Sequence, residues 1–122
     1  MIFRHFKYEE FDSPDSPGSG YNMRDSFMMK LDYARKLANT PFRITSGYRT
    51  PSHNAAVKGS STSSHMKGWA ADIEARSPAL AARIIAALYY AGVRRIGYYP
   101  SKKFIHADCD PSKPSPAFWD DT

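Results

Sequence analysis

Ser63-Ser64-His65-Met66-Lys67-Gly68-Trp69-Ala70-Ala71-Asp72 is the stretch from which the fold is read. It leads from a serine-rich loop into a short apolar run, 69–75, that reads as a strand. Asp72 falls in mid-strand, with Ile73 on the opposite, buried face. An unpaired carboxylate in apolar surroundings is costly, so Asp72 calls for a partner. His65 stands seven residues before it, and Gly68 and Ala70 leave room near the pair. Further on, Phe104-Ile105-His106-Ala107-Asp108 supplies a second histidine and a second carboxylate, alternating onto one face of another strand. His65, Asp72 and His106 together are the donor set of a site for one zinc ion, with a fourth position left to water.

The remainder reads as scaffold. Phe27, Leu31, Ala34 and Leu37, widened by Met28, predict a helix over 24–39, capped by Asp25 or Ser26 and stopped before Pro41. Alternation over 42–46 predicts a strand, and Thr50-Pro51 opens a short helix over 51–58. Gly59–Ser64 reads as an active-site loop leading to His65. Ser77 caps a helix over 78–91 whose stripe is Leu80, Ile84 and Leu88, widened by Ala81, Ile85 and Tyr89. Strands follow at 95–99 and 104–109. Residues 2–11 read as a short strand or extended arm, 12–22 as an ordered loop, and 111–122 as an extended tail pinned by Phe118-Trp119. This order implies a single α+β domain over 1–122. Its helices cover one face of a small, largely antiparallel sheet, and the other face carries the site.

Composition narrows the function. With 122 residues, 42% apolar and 14% aromatic, the chain is one globular domain rather than a disordered segment. It holds no apolar run of the ~18 residues a membrane span needs. Its charged first residues do not form a signal peptide, so synthesis in a cytoplasm without a secretion tag is expected. A monomeric protein is expected as well. The net charge of +5 is scattered and no nucleic-acid motif accompanies it, which argues against specific nucleic-acid binding. Attraction to an anionic substrate is the more economical use of that charge. The lone cysteine, Cys109, forms no internal disulfide and points away from the face shared by His106 and Asp108.

A zinc site of this kind lowers the pKa of water from about 15.7 toward 7 and polarises a carbonyl, which is hydrolytic chemistry. Asp108 is then either the general base or a partner that holds an imidazole ligand. Arg49, on the turn after the first strand, suits a substrate carboxylate or a developing oxyanion. Ser46, Tyr48 and Ser63 offer hydrogen bonds to substrate or to their own loops. His53 and His5 read as surface residues.

The spacing Ser63-x-His65-x-x-Gly68-x-Ala70-x-Asp72 resembles the signature of the zinc D-Ala-D-Ala carboxypeptidase and peptidoglycan endopeptidase (endolysin) family. Ser46-Gly47-Tyr48-Arg49, Asn54, Gly97-Tyr98-Tyr99-Pro100 and Phe104–Asp108 extend the resemblance over roughly residues 20–120. It implies the fold of the hedgehog-like zinc peptidases, with His65, Asp72 and His106 on zinc and Arg49 on substrate. It also implies a peptidoglycan peptide as substrate and, by analogy, a lysis enzyme of phage type. A non-catalytic zinc module of the same fold is the other reading. Many members carry an acidic residue three positions before the last histidine, where this chain has Lys103 and so looks like the His-x-Asp subgroup.

Overall fold

The computed structural model describes residues 1–121; residue 122, the end of the expected tail, lies outside the described residues. Among the described residues there are three α-helices and five strands. They run α1 (Asp25–Ala38), β1 (Ile44–Ser46), α2 (Pro51–Ala56), β2 (Ala70–Glu74), α3 (Pro78–Tyr90), β3 (Arg95–Tyr99), β4 (Phe104–Asp108) and β5 (Ala117–Asp120). Short 3-10 turns occur at Tyr8–Phe11, Ser19–Asn22 and Ser64–Lys67. The sheet order is β1-β2-β4-β3-β5. β1, β2, β4 and β3 pair antiparallel, while β5 lies parallel on β3. The domain is α+β with a largely antiparallel sheet, as the order of elements implies.

Alternation divides the sheet into two chemistries. Ala71, Ile73, Ile96, Ile105 and Ala107 face one core shared with α1 and α3. α1 contributes Phe27, Met28, Leu31, Ala34 and Ala38, and α3 contributes Ala81, Ile84, Ala87 and Leu88. Each fully buried large apolar side chain stabilises by roughly 1.5–3 kcal/mol over exposure. The opposite face carries one row across all five strands: Ser46, Asp72, His106, Gly97 and Trp119 are successive register partners.

Several local expectations are revised. Leu37 is exposed and Ala38 takes its place in the core, because the stripe continues as Phe27, Leu31, Ala34, Ala38. The residue before α1 is Arg24, with no side-chain cap; its amide donates instead to the Gly68 carbonyl, 3.0 Å away. Residues 2–11 form no strand. The Glu10 carboxylate accepts from Lys7 N at 2.8 Å and closes a 3-10 turn, which drops Phe6 and Phe11 edge-to-face into the core at 5.2 Å. Loop 12–22 is ordered through Asp12, whose oxygens accept from Gly18 N and Gly20 N at 3.0 and 2.7 Å. The C-terminal tail contains strand β5 over Ala117–Asp120, where an irregular extension is expected from the sequence.

β5 owes its place to a missing side chain. Trp119 lies across Gly97, where an added Cβ would stand 2.3 Å from the indole nitrogen. That nitrogen donates to the Tyr99 hydroxyl at 2.9 Å, and the ring centroid is 5.7 Å from that of His106. Gly97→Ala is expected to dislodge Trp119 and cost about 1–3 kcal/mol. Thermal unfolding followed by tryptophan fluorescence checks this; an unchanged midpoint and emission maximum would contradict the seat.

Candidate metal centre

β2 and β4 place Asp72 directly opposite His106. His65 belongs to neither strand. It is delivered by the 3-10 turn Ser64–Lys67, which Ser63 caps by accepting from His65 N at 3.2 Å. Gly68 ends the turn with φ +76, and a Cβ there would meet the Asn22 carbonyl oxygen at 2.1 Å. Glycine is therefore needed for the backbone and its neighbour, more than for space around the ligands. The turn is tied down by Arg49 N donating to His65 O at 3.2 Å and Trp69 N to Ser64 O at 3.1 Å.

One ligand atom each from His65, Asp72 and His106 lies within 4.8 Å of the other two, so the group can hold a metal ion. Asp72 Oδ1 is 3.4 Å from His65 Nε2 and 3.1 Å from His106 Nδ1. Donors of a four-coordinate zinc at its usual bond lengths stand about 3.4 Å apart. The outward nitrogens fix the inward ones. His65 Nδ1 is 2.8 Å from the Gly47 carbonyl oxygen, which only accepts, so Nδ1 carries a proton and Nε2 is the nitrogen turned toward Asp72. His106 Nε2 donates to Asp108 Oδ2 at 2.7 Å, leaving Nδ1 to face Asp72. Two imidazole lone pairs and a carboxylate oxygen aimed at one point repel unless a proton or a cation lies between them. The donor set therefore fits zinc.

A family model described as Peptidase M15 matches residues 4–108. The chain belongs to the peptidase M15 family. No curated protein matches the chain. The M15 match includes all three candidate ligands and ends at Asp108, before β5.

Around this candidate centre, Arg49 is partly buried, and its guanidinium is held on three sides. Nε donates to Ser46 Oγ at 3.1 Å, Nη1 to Asn54 Oδ1 at 3.3 Å, and Nη2 lies 3.6 Å from Asp72 Oδ2. Asp108 is 1% exposed, and its other oxygen accepts from Arg95 Nε at 2.8 Å and Asp110 N at 3.1 Å. Ser63 is buried with its hydroxyl engaged in the cap. Tyr48 is half-buried and lines a groove with Tyr8, Tyr21, Arg24 and Lys67. Lys103 is exposed on the turn before β4, and Cys109 packs toward the core. His53 is half-buried on α2 and His5 is exposed. Sequence reasoning passed over Arg95, Ser64 and Asp110. The alternation His106-x-Asp108-x-Asp110 was the available signal for the last of these.

The charges of the centre are interlocked. Burial pushes the Asp72 carboxyl up, but hydrogen bonds and charge from His106 and His65 outweigh it and hold Asp72 well below the usual carboxylate range. Burial pushes His106 down, and hydrogen bonds to Asp108 and Asp72 more than reverse this, so its value is raised. A raised imidazole stabilises the metal-free fold below its unfolded pKa of about 6.5 and loses that contribution as pH rises through its folded value. The depressed Asp72 contributes above about 3.9 and loses its share as pH falls. A metal must displace the His106 proton. Added zinc is thus expected to raise the unfolding midpoint more at pH 8 than at pH 5.5 and to release protons on binding. Calorimetric titration in buffers of different ionisation enthalpy measures the release; binding without a pH dependence would contradict the assignment.

Proposed function

We propose that the chain is a zinc-dependent peptidase that hydrolyses peptide bonds in the stem peptides or crosslinks of bacterial peptidoglycan. The observation that carries this is the convergence of His65 Nε2, Asp72 Oδ1 and His106 Nδ1 within a chain of the M15 family. Zinc, when bound, supplies Lewis acidity toward a carbonyl oxygen and makes water a nucleophile near neutral pH.

The protein's own groups prepare that chemistry. Gly47 and Asp108 hold the outward nitrogens of the two imidazoles and so fix which nitrogen each ring offers. Both oxygens of Asp108 are already engaged, by His106, Arg95 and the Asp110 amide. Of the two roles open to Asp108, we therefore favour orienting His106 over receiving a proton from water. Arg49 is held by Ser46 and Asn54 and has N–H groups left over for a substrate carboxylate or the oxyanion of the attacked carbonyl. Ser63 serves substrate only indirectly, by shaping the His65 turn, while Tyr48 borders a groove that Met66 and Lys67 also line. The net charge of +5 favours approach to an anionic wall polymer. No described helix is long and apolar enough to cross a membrane. A monomeric lysis enzyme of phage type is the setting we favour.

The second reading, a zinc-binding recognition module, draws on one observation: exposed Lys103 occupies the position where many members carry an acid. Mass spectrometry of purified muropeptides incubated with the protein separates the two. The peptidase reading predicts products that vanish with chelator and return with zinc; no product under any condition supports the module. Arg49→Lys is expected to lower kcat/KM roughly 100-fold or more while zinc content stays at one per chain. Retained activity would remove Arg49 from the substrate site.

A further inference from the structure

Two of the three candidate ligands are fixed by the β2–β4 ladder, but His65 rides on a separate turn. Something must hold that turn against β4. Asp110 lies just past the end of β4 and beyond the segment matched by the family model. It is 2% exposed. Its Oδ2 accepts from Ser64 Oγ at 2.7 Å and from Lys67 Nζ at 3.3 Å, both on the His65 turn. Its Oδ1 accepts from Ser112 N at 2.9 Å and Ser112 Oγ at 2.7 Å, within its own segment. Ser64 Oγ in turn accepts from Lys113 Nζ at 2.8 Å. One carboxylate thus joins the residue before His65 to the chain leaving His106 and Asp108, with two ammonium groups close by.

The chemistry requires a carboxylate. Four donors converge on its two oxygens, and only an acceptor-only group satisfies all four. Asparagine has a single acceptor oxygen, so its amide nitrogen would face either the serine pair or the Ser64–Lys67 pair. The contact is buried at Ser64 and Asp110, so water does not substitute for it freely.

We propose that Asp110 is a positioning residue that locks the His65-bearing turn to the end of β4 and so sets how closely His65 approaches Asp72 and His106. Its consequence for metal binding rests on the metal-centre reading above; the lock itself does not.

Two measurements on the full chain test it. The first uses metal-free protein and follows amide hydrogen exchange. In Asp110→Ala, the Trp69 and Arg49 amides, which donate to Ser64 O and His65 O, are expected to exchange about tenfold faster. The amides of Ile73 and Ile105 in the β2–β4 ladder are expected to keep their rates. Unchanged exchange at Trp69 and Arg49 would overturn the proposal, as would a uniform rise across the ladder, which marks a general loss of stability. The second measurement titrates cobalt(II), whose visible spectrum reports ligand geometry. Asp110→Ala and Asp110→Asn are expected to lose roughly 10- to 100-fold in affinity with a changed spectrum. Ile84→Val, a mild core change in α3, serves as the control that lowers stability without moving the spectrum. Should Asp110→Ala fail to fold, Ser64→Ala removes the shorter and more buried of the two Asp110 links to the turn and is expected to shift both readouts in the same direction. If wild-type protein takes up no cobalt, the metal-centre reading fails, and the exchange experiment still decides the lock.

Discussion

A carboxylate in the middle of a sheet stays ionised only if its surroundings compensate the water it has lost. Asp72 is 7% exposed and has an imidazole on either side and a guanidinium at its far oxygen. Desolvation of an ion costs several kcal/mol, so this cluster is favourable only as a set. Remove the cation or proton between the three donors and the arrangement becomes a concentration of lone pairs. Much of the molecule can be understood as the means of holding those donors in place. α1 and α3 occupy the apolar face of the sheet so that the polar face is left to Asp72, His106 and Trp119.

The donors are held with unequal stiffness. Asp72 and His106 sit opposite each other in a five-residue ladder, where a slip of one position in either strand would turn that strand's ligand into the core and part the pair. His65 depends on point contacts: a capping serine, a left-handed glycine, the Gly47 carbonyl and the Asp110 carboxylate. The outward carboxylate on His106 is itself anchored by Arg95, whose guanidinium also lies over the Trp119 ring at 5.2 Å. β5 thereby reaches the centre without contributing a ligand. The Gly97 seat, Trp119, Arg95 and Asp108 form one continuous set of contacts beside His106.

The parts of this that were legible in the sequence are the local ones. Alternation announces β2 and β4 because their two faces differ in chemistry, and Ser77-Pro78 announces α3 because its cap lies within three residues of the amide it satisfies. That His65, Asp72 and His106 form a group able to hold a metal was legible because Asp72 and His106 each fall on the polar face of an alternating strand, while His65-x6-Asp72 alone is a common spacing. The partners of Asp110 were not. Ser64 and Lys67 lie 46 and 43 residues away, and nothing in the periodicity of either segment registers the other. The 3-10 turn at Tyr8–Phe11 was missed for a related reason: aromatic residues suit a strand, and the Glu10 bond to the Lys7 amide decides the matter locally. β5 was missed because three prolines nearby argue against regular structure, while a parallel edge strand on β3 tolerates them outside its own span.

The central claim concerns three atoms and one ion, so the most direct test locates the ion. Diffraction data collected on both sides of the zinc absorption edge, from crystals grown with one equivalent of zinc, would show where the metal rests. The account predicts a single anomalous peak at bonding distance from His65 Nε2, Asp72 Oδ1 and His106 Nδ1. A peak elsewhere, or none at full zinc loading, would contradict it.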